Sequence, residues 1–137
     1  MSTFKAFFPV AAPVESERAV SKRWRDEHGE LLKFRARAID EAENARIRKA
    51  STKIMNHRGE RQEQRDTAQY MNNLILACVT YPDLNDADLQ QAYGVMTAGD
   101  LLRKMLLPGE YGELASWITE LCGFDENLND LVDEAKN

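Results

Sequence analysis

The chain has 137 residues and a net charge of −5, with 43% hydrophobic and 30% charged residues. That balance describes a folded globular chain rather than a disordered one, of a length suited to a single domain. The longest unbroken apolar run covers residues 74–79, far short of the roughly 20 residues a membrane-spanning helix needs, so no membrane association is expected.

The N-terminus is "MSTFKAFFPVAAP". It is too short and too broken by proline to read as a secretory signal, which makes a cytoplasmic protein the expectation. Phe4, Phe7 and Phe8 fall at i, i+3 and i+4, the spacing of one helical turn with an aromatic face. Residues 1–18 are read as a separate segment, docking on the chain's own core or on a partner, ahead of a single domain at 19–137.

"AVSKRWRDEHGELLKFRARAI" predicts a β-hairpin over 19–39. "DEHG" supplies the turn. Leu32, Phe34, Ala36 and Ala38 alternate with Lys33, Arg35 and Arg37, and Val20 and Trp24 match them on the first strand. The solvent face then carries Arg23, Arg25, Arg35 and Arg37. A basic ribbon of this kind can contact nucleic acid, but no aromatic residues interleave it as in single-strand binders.

Asp40 and Glu43 form a capping box that opens a helix reaching about Ile54, with Ala42, Ala45 and Ile54 turned inward. "NHRGERQEQR" after it is polar, broken by Gly59, and reads as a mobile loop. Asp66 caps the next helix, whose stripe of Met71, Leu74, Ile75, Cys78 and Val79 marks it as the central core helix. Pro82 ends it. Short helices follow: one over residues 86–93 closed by Gly94, one capped by Thr97, one opened by Pro108 and closed by Gly123, and a last one over about 125–135. The expected fold is therefore mainly α with an N-terminal β-hairpin (α+β), a compact bundle of short helices.

Chemistry is hard to find. His28 and His57 stand alone, and Cys78 and Cys122 sit within apolar helical patterns as free thiols. No nucleophile has a base beside it, no phosphate loop is present, and no ligand cluster has metal spacing. We expect no catalytic residue, no cofactor and no metal. The charge is uneven: residues 1–82 hold 15 Lys+Arg against 11 Asp+Glu, +4, and residues 83–137 hold 3 against 12, −9. An acidic C-terminal half repels phosphates and argues against nucleic acid as a partner there. What the C-terminal half does offer is apolar anchors on short helices: Tyr93, Met96, Leu101, Leu102, Met105, Leu106, Tyr111 and Trp117. Trp117 lies just off the Leu114–Ile118 stripe and is expected to be partly exposed. These residues either fill the domain's own core or line a groove for a partner helix, where methionine and aromatic side chains adapt well.

Residues 83–137 carry Tyr93-Gly94-Val95, then Leu101-Leu102, then "MLLPGEY" at 105–111, Gly123-Phe124 and "LVDEAKN" at 131–137. This series, with "VSKRWRDEHGELLKFRARAIDEAE" upstream, resembles the XkdN-like tail-assembly chaperones of tailed phages and defective prophages. The resemblance implies a non-enzymatic role: binding the long helical tape-measure protein, keeping it soluble until tail-tube subunits polymerise around it, and leaving before the virion is finished. It also leaves room for contact with the tail-tube protein and for self-association. Outside it stand two other readings, a nucleic-acid-binding regulator using Arg23, Arg25, Arg35 and Arg37 of the basic hairpin with the basic stretch at 46–65, and a structural tail or neck component retained in the virion.

Overall fold

The computed structural model describes residues 4–9 and 14–124. The helix expected at 125–135 lies outside the described residues. Among the described residues the first strand, β1 (Glu15–Arg18), pairs antiparallel with β2 (Phe34–Arg37), and β2 pairs antiparallel with β5 (Val79–Tyr81), giving a sheet in the order β1-β2-β5. Period-2 geometry sends Phe34 and Ala36 to the buried face and Arg35 to solvent. Helix α1 (Glu41–Ala50) leads into a second, two-stranded sheet of β3 (Thr52–His57) and β4 (Glu60–Arg65). Helices α2 (Thr67–Cys78), α3 (Ala87–Ala92), α4 (Ala98–Met105) and α5 (Pro108–Leu121) complete the described chain.

The helix starts are local chemistry. Asp40, Asp66 and Asp86 each accept a hydrogen bond from the backbone N–H three residues on, at 2.9, 3.0 and 2.8 Å. Thr97 does the same for Asp100 N–H at 3.1 Å. These caps satisfy donors that the first helical turn leaves unpaired. At α5 the roles reverse, and the Glu110 carboxylate accepts from Leu107 N–H at 2.8 Å with Pro108 at the first helical position.

The core lies between the β1-β2-β5 sheet and α2, α4 and α5. Leu74, Ile75 and Cys78 of α2, Leu101 and Leu102 of α4, and Leu114 and Ile118 of α5 are fully buried, with Phe34 and Ala36 beneath them. Each large aliphatic group sealed this way stabilises the fold by about 1.5–3 kcal/mol. Gly99 lets α4 approach α2 closely: a Cβ there would meet Asn72 Nδ2 at 3.1 Å. The buried amide of Asn72 is also reached by the Tyr111 hydroxyl, which donates to its Oδ1 at 3.3 Å. Cys78 and Cys122 are free thiols with their sulfurs 3.7 Å apart, and burial pushes the Cys78 thiol up to about 12.

The expectation of a mainly α fold is overturned. Among the described residues two sheets with five strands accompany the helices, so the architecture is α+β, not a helical bundle with one hairpin in front. The hairpin expected at 19–39 is partly right. Its turn forms, with Gly29 at φ 81° and Asp26 Oδ1 accepting from His28 and Glu30 N–H. Its first arm, however, makes a single bridge, Arg25 to Leu31, and the strand that pairs with Phe34–Arg37 is Glu15–Arg18. Residues 1–18 thus contribute a strand to the main sheet. The polar "loop" at 56–65 is a hairpin, and the helix expected to reach Ile54 ends at Ala50. Arg58 and Gly59, at φ 53° and 79°, make a two-residue turn whose twist suits an antiparallel pair. This arm has no buried face: every β4 residue is exposed, as are Ile54 and Met55. Without a buried face it has no hydrophobic alternation to read.

The contrast between core and arm is measurable. Leu101→Ala is expected to lower unfolding free energy by about 2–5 kcal/mol through the cavity it leaves. Met55→Ala, on the exposed arm, is expected to change it by less than about 0.5 kcal/mol. Urea midpoints of the two variants check both figures.

Candidate functional site

The eight anchors named from sequence divide by burial. Leu101, Leu102, Met105, Leu106 and Trp117 are buried in the chain's own core, and the Trp117 indole donates to Ser16 Oγ at 3.4 Å. Trp117, expected partly exposed, is only 5% exposed, because β1 covers the side of α5 that the helical stripe leaves open. Tyr111 is half-buried against Asn72. Met96, between α3 and α4, is 92% exposed. Tyr93 and Met105 are brought together in a surface cleft.

That cleft has a volume of about 150 Å³. Trp24, Phe34, Tyr81 and Leu89 join Tyr93 and Met105 in lining it, with Leu32, Pro82 and the stem of Lys33 at its edge. Nearly all of the lining is apolar. Four parts of the chain meet here: the arms of the 26–29 turn, the end of β5, α3 and the end of α4. Trp24 stacks on Phe34 with ring centroids 6.1 Å apart, and the Arg35 guanidinium lies 5.6 Å over the Tyr81 ring. Tyr81 and Leu32 remain 50% and 39% exposed, leaving the mouth greasy. The cavity is smaller than the roughly 300–1,000 Å³ of small-molecule sites. Its size and lining suit one or two apolar side chains of a protein partner.

Arg23 holds the cleft's walls together. Its guanidinium sits 4.6 Å over the Trp24 ring, donates to the Met105 carbonyl at 2.7 Å, and grips the Glu110 carboxylate through Nε at 3.1 Å and through Nη2. One side chain therefore ties a wall residue from the N-terminal half to the turn between α4 and α5. Sequence reading missed this role and missed Trp24, Leu32, Phe34, Tyr81 and Leu89 as site residues. The only local signal was Glu110 at the third position of a helix that starts with proline.

The remaining arginines of the expected basic ribbon are also engaged. Arg25 donates to the Gly29 carbonyl at 2.8 Å, Arg35 pairs with Glu17 at 3.4 Å, and Arg37 pairs with Glu43 at 3.3 Å. Two of the three are thus paired with carboxylates, and Arg25 spends a donor on a backbone carbonyl. Among the described residues there is no group of three or more His, Cys, Asp or Glu able to hold a metal, and no helix is long and apolar enough to cross a membrane.

The Arg23–Glu110 grip carries a pH signature. The Arg23 guanidinium, then the Ser21 hydroxyl and Leu107 N–H, hold the Glu110 carboxyl down to about 2, against an ordinary 4.5. A carboxyl depressed by folding stabilises fully above its unfolded value and loses that contribution as pH falls through the folded one. Glu110→Gln is therefore expected to flatten the fall in urea midpoint between about pH 5 and pH 2 relative to the unmodified chain. An unchanged slope would remove Glu110 from the acid response.

Comparison with known proteins shows the family. Residues 4–136 match the family described as phage XkdN-like tail assembly chaperone protein. The chain is 29% identical over 139 residues to the phage-like element PBSX protein XkdN of Bacillus subtilis strain 168, covering 96% of this chain and 93% of that one. It is 28% identical to the YqbN protein of the same strain, covering 96% and 92%. The crystal structure of YqbN superposes with a TM-score of 0.75 over 91% of this chain and 98% of that one, at 23% identity, a likeness of fold. The match over nearly the whole length makes this chain a member of the XkdN-like family of phage tail assembly chaperones.

Proposed function

We propose that this tail assembly chaperone binds the tape-measure protein through the Trp24–Tyr81–Met105 cleft and keeps it soluble while the tail tube grows. The observation that carries the reading is the cleft itself: an apolar depression on a folded chain whose other large aliphatic groups are mostly sealed in the core. A long amphipathic helix left in water aggregates along its apolar stripe. Side chains one helical turn apart on such a helix lie on the same face, so one inserts into the cleft while the next rests on Tyr81 and Leu32 at its mouth. Tyr93 and Met105 are the anchors named from sequence that serve in this reading, and Met96 is a further exposed contact.

A surface of this size gives modest affinity, which a chaperone needs if polymerising tail-tube subunits are to displace it. Catalysis has no part in the proposal: the cleft holds no nucleophile, and its one cation, Lys33, stands at the edge among apolar groups. The protein acts in the host cytoplasm and is absent from the finished virion, which separates it from a structural tail or neck component.

Co-expression with the tape-measure protein of the same genome tests this. The unmodified chain is expected to raise the soluble fraction of the tape-measure protein and to co-purify with it. Leu32→Asp/Tyr81→Asp, which charges only the exposed mouth of the cleft, is expected to cut recovery of the complex at least about tenfold, with the circular dichroism spectrum and urea midpoint unchanged. Equal recovery by the charged variant would show that the partner does not use the cleft. Finding the protein in purified virions by mass spectrometry would replace the chaperone reading with the structural one.

A further inference from the structure

A separate surface depression, sharing no lining residue with the cleft, lies between α1 and the β3–β4 arm. Its volume is about 450 Å³ and it is open to solvent. The arm's pairing places Thr52 opposite Arg65 and Ile54 opposite Glu63, so these residues share the face turned toward α1. The result is a groove with Arg48 and Lys49 on one wall and Arg61 and Arg65 on the other, with Glu63 its one acid. Ala45 and the 56%-exposed Ile54 give it an apolar floor. Among the described residues, Lys49 and Arg61 have no carboxylate within ion-pair distance. A concentrated positive groove with a greasy floor, on a chain of net charge −5, calls for an acidic apolar occupant.

We propose that the occupant is this chain's own C-terminal segment, residues 125–137. That segment carries Asp125, Glu126, Asp130, Asp133 and Glu134 against Lys136 alone, with Leu128, Leu131 and Val132 among the acids. Charge and apolar content both match the groove. The attachment point also fits. Cys122 lies with its sulfur 3.7 Å from that of Cys78 at the end of α2. Helix α1 runs antiparallel to α2: Ser51 at its end meets Asp66 at the start of α2, and Glu43 in its first turn lies close enough to Cys78 at the end of α2 to act on that thiol. The end of α5 therefore sits by the start of α1, and the groove lies at the other end of that helix, about 15 Å along it. Thirteen residues can span about 43 Å when extended, so the segment reaches with length to spare.

A zero-length carbodiimide, which joins amines to carboxylates in contact, tests the proposal on the full chain. The expected product is a species of monomer mass in which Lys49 is joined to Asp130, Asp133 or Glu134, identified by peptide mass spectrometry. Its yield is expected to fall several-fold between about 0.05 M and about 0.5 M salt, as the attraction is screened. It is expected to fall similarly in Arg48→Glu/Arg61→Glu/Arg65→Glu, whose substitutions sit on the exposed arm and helix face. Should that variant not fold, the salt series on the unmodified chain decides alone. Two results would overturn the proposal: a Lys49 link no more abundant at low salt than at high salt, or one confined to species of dimer mass, which would assign the groove to a second copy.

Discussion

Burial of one stripe of α2 holds everything else in place. Leu74, Ile75 and Cys78 are sealed from solvent, and they share one buried cluster with the Phe34–Ala36 face of the sheet, the Leu101–Leu102 face of α4, and the Leu114–Ile118 face of α5. Close packing of this kind leaves little slack. Gly99, with no side chain to hold α4 away from Asn72, and the Tyr111–Asn72 hydrogen bond set how closely α4 and α5 settle on that stripe. Outside those faces, large apolar groups remain exposed in several places, among them Phe4, Phe7, Phe8, Leu32, Ile54, Tyr81 and Met96.

They fall in different settings. Trp24, Tyr81 and Met105 gather around the cleft because the 26–29 turn, β5 and α4 end near one another without filling the space between them. Arg23 keeps that space open and shaped. It fixes the Trp24 ring on one side and the Met105 carbonyl on the other, and Glu110 anchors it from the first turn of α5. The same carboxylate caps α5 through Leu107 N–H, so helix start and cleft wall share one charge. The β3–β4 arm and its basic groove are built differently, from exposed polar strands whose order comes from their turn and ladder rather than from a core.

Much of this was legible from local sequence, and the rest was lost for identifiable reasons. The caps at Asp40, Asp66 and Thr97, the Pro108 start and the left-handed closures at Gly94 and Gly123 were readable because each is decided within a few residues. The stripes of α2 and α5 were readable because burial imposes a helical period. Glu15–Arg18 was not, because "ESER" has no apolar residue and becomes a strand only through pairing with residues 34–37. The arm at 52–65 failed for a related reason: its Arg58-Gly59 turn was visible as a breaker, but its strands bury nothing. For the site, Tyr93 and Met105 were named because they are apolar anchors on short helices. Trp24 and Tyr81 were missed because the cleft is assembled from segments nearly sixty residues apart. Leu101, Leu102, Leu106 and Trp117 look the same in sequence as Tyr93, and Met105 belongs to the core and the cleft wall at once, which only tertiary packing reveals.

Methyl resonances give the most direct view of the central claim, that a partner helix enters the apolar cleft. Leu32, Leu89 and Met105 carry methyl groups in its lining, and Leu114 and Ile118 carry them in the sealed core. On titration with helical fragments of the tape-measure protein, the first three are expected to shift saturably while the last two hold still. Saturable binding with Leu32, Leu89 and Met105 unmoved would contradict the account.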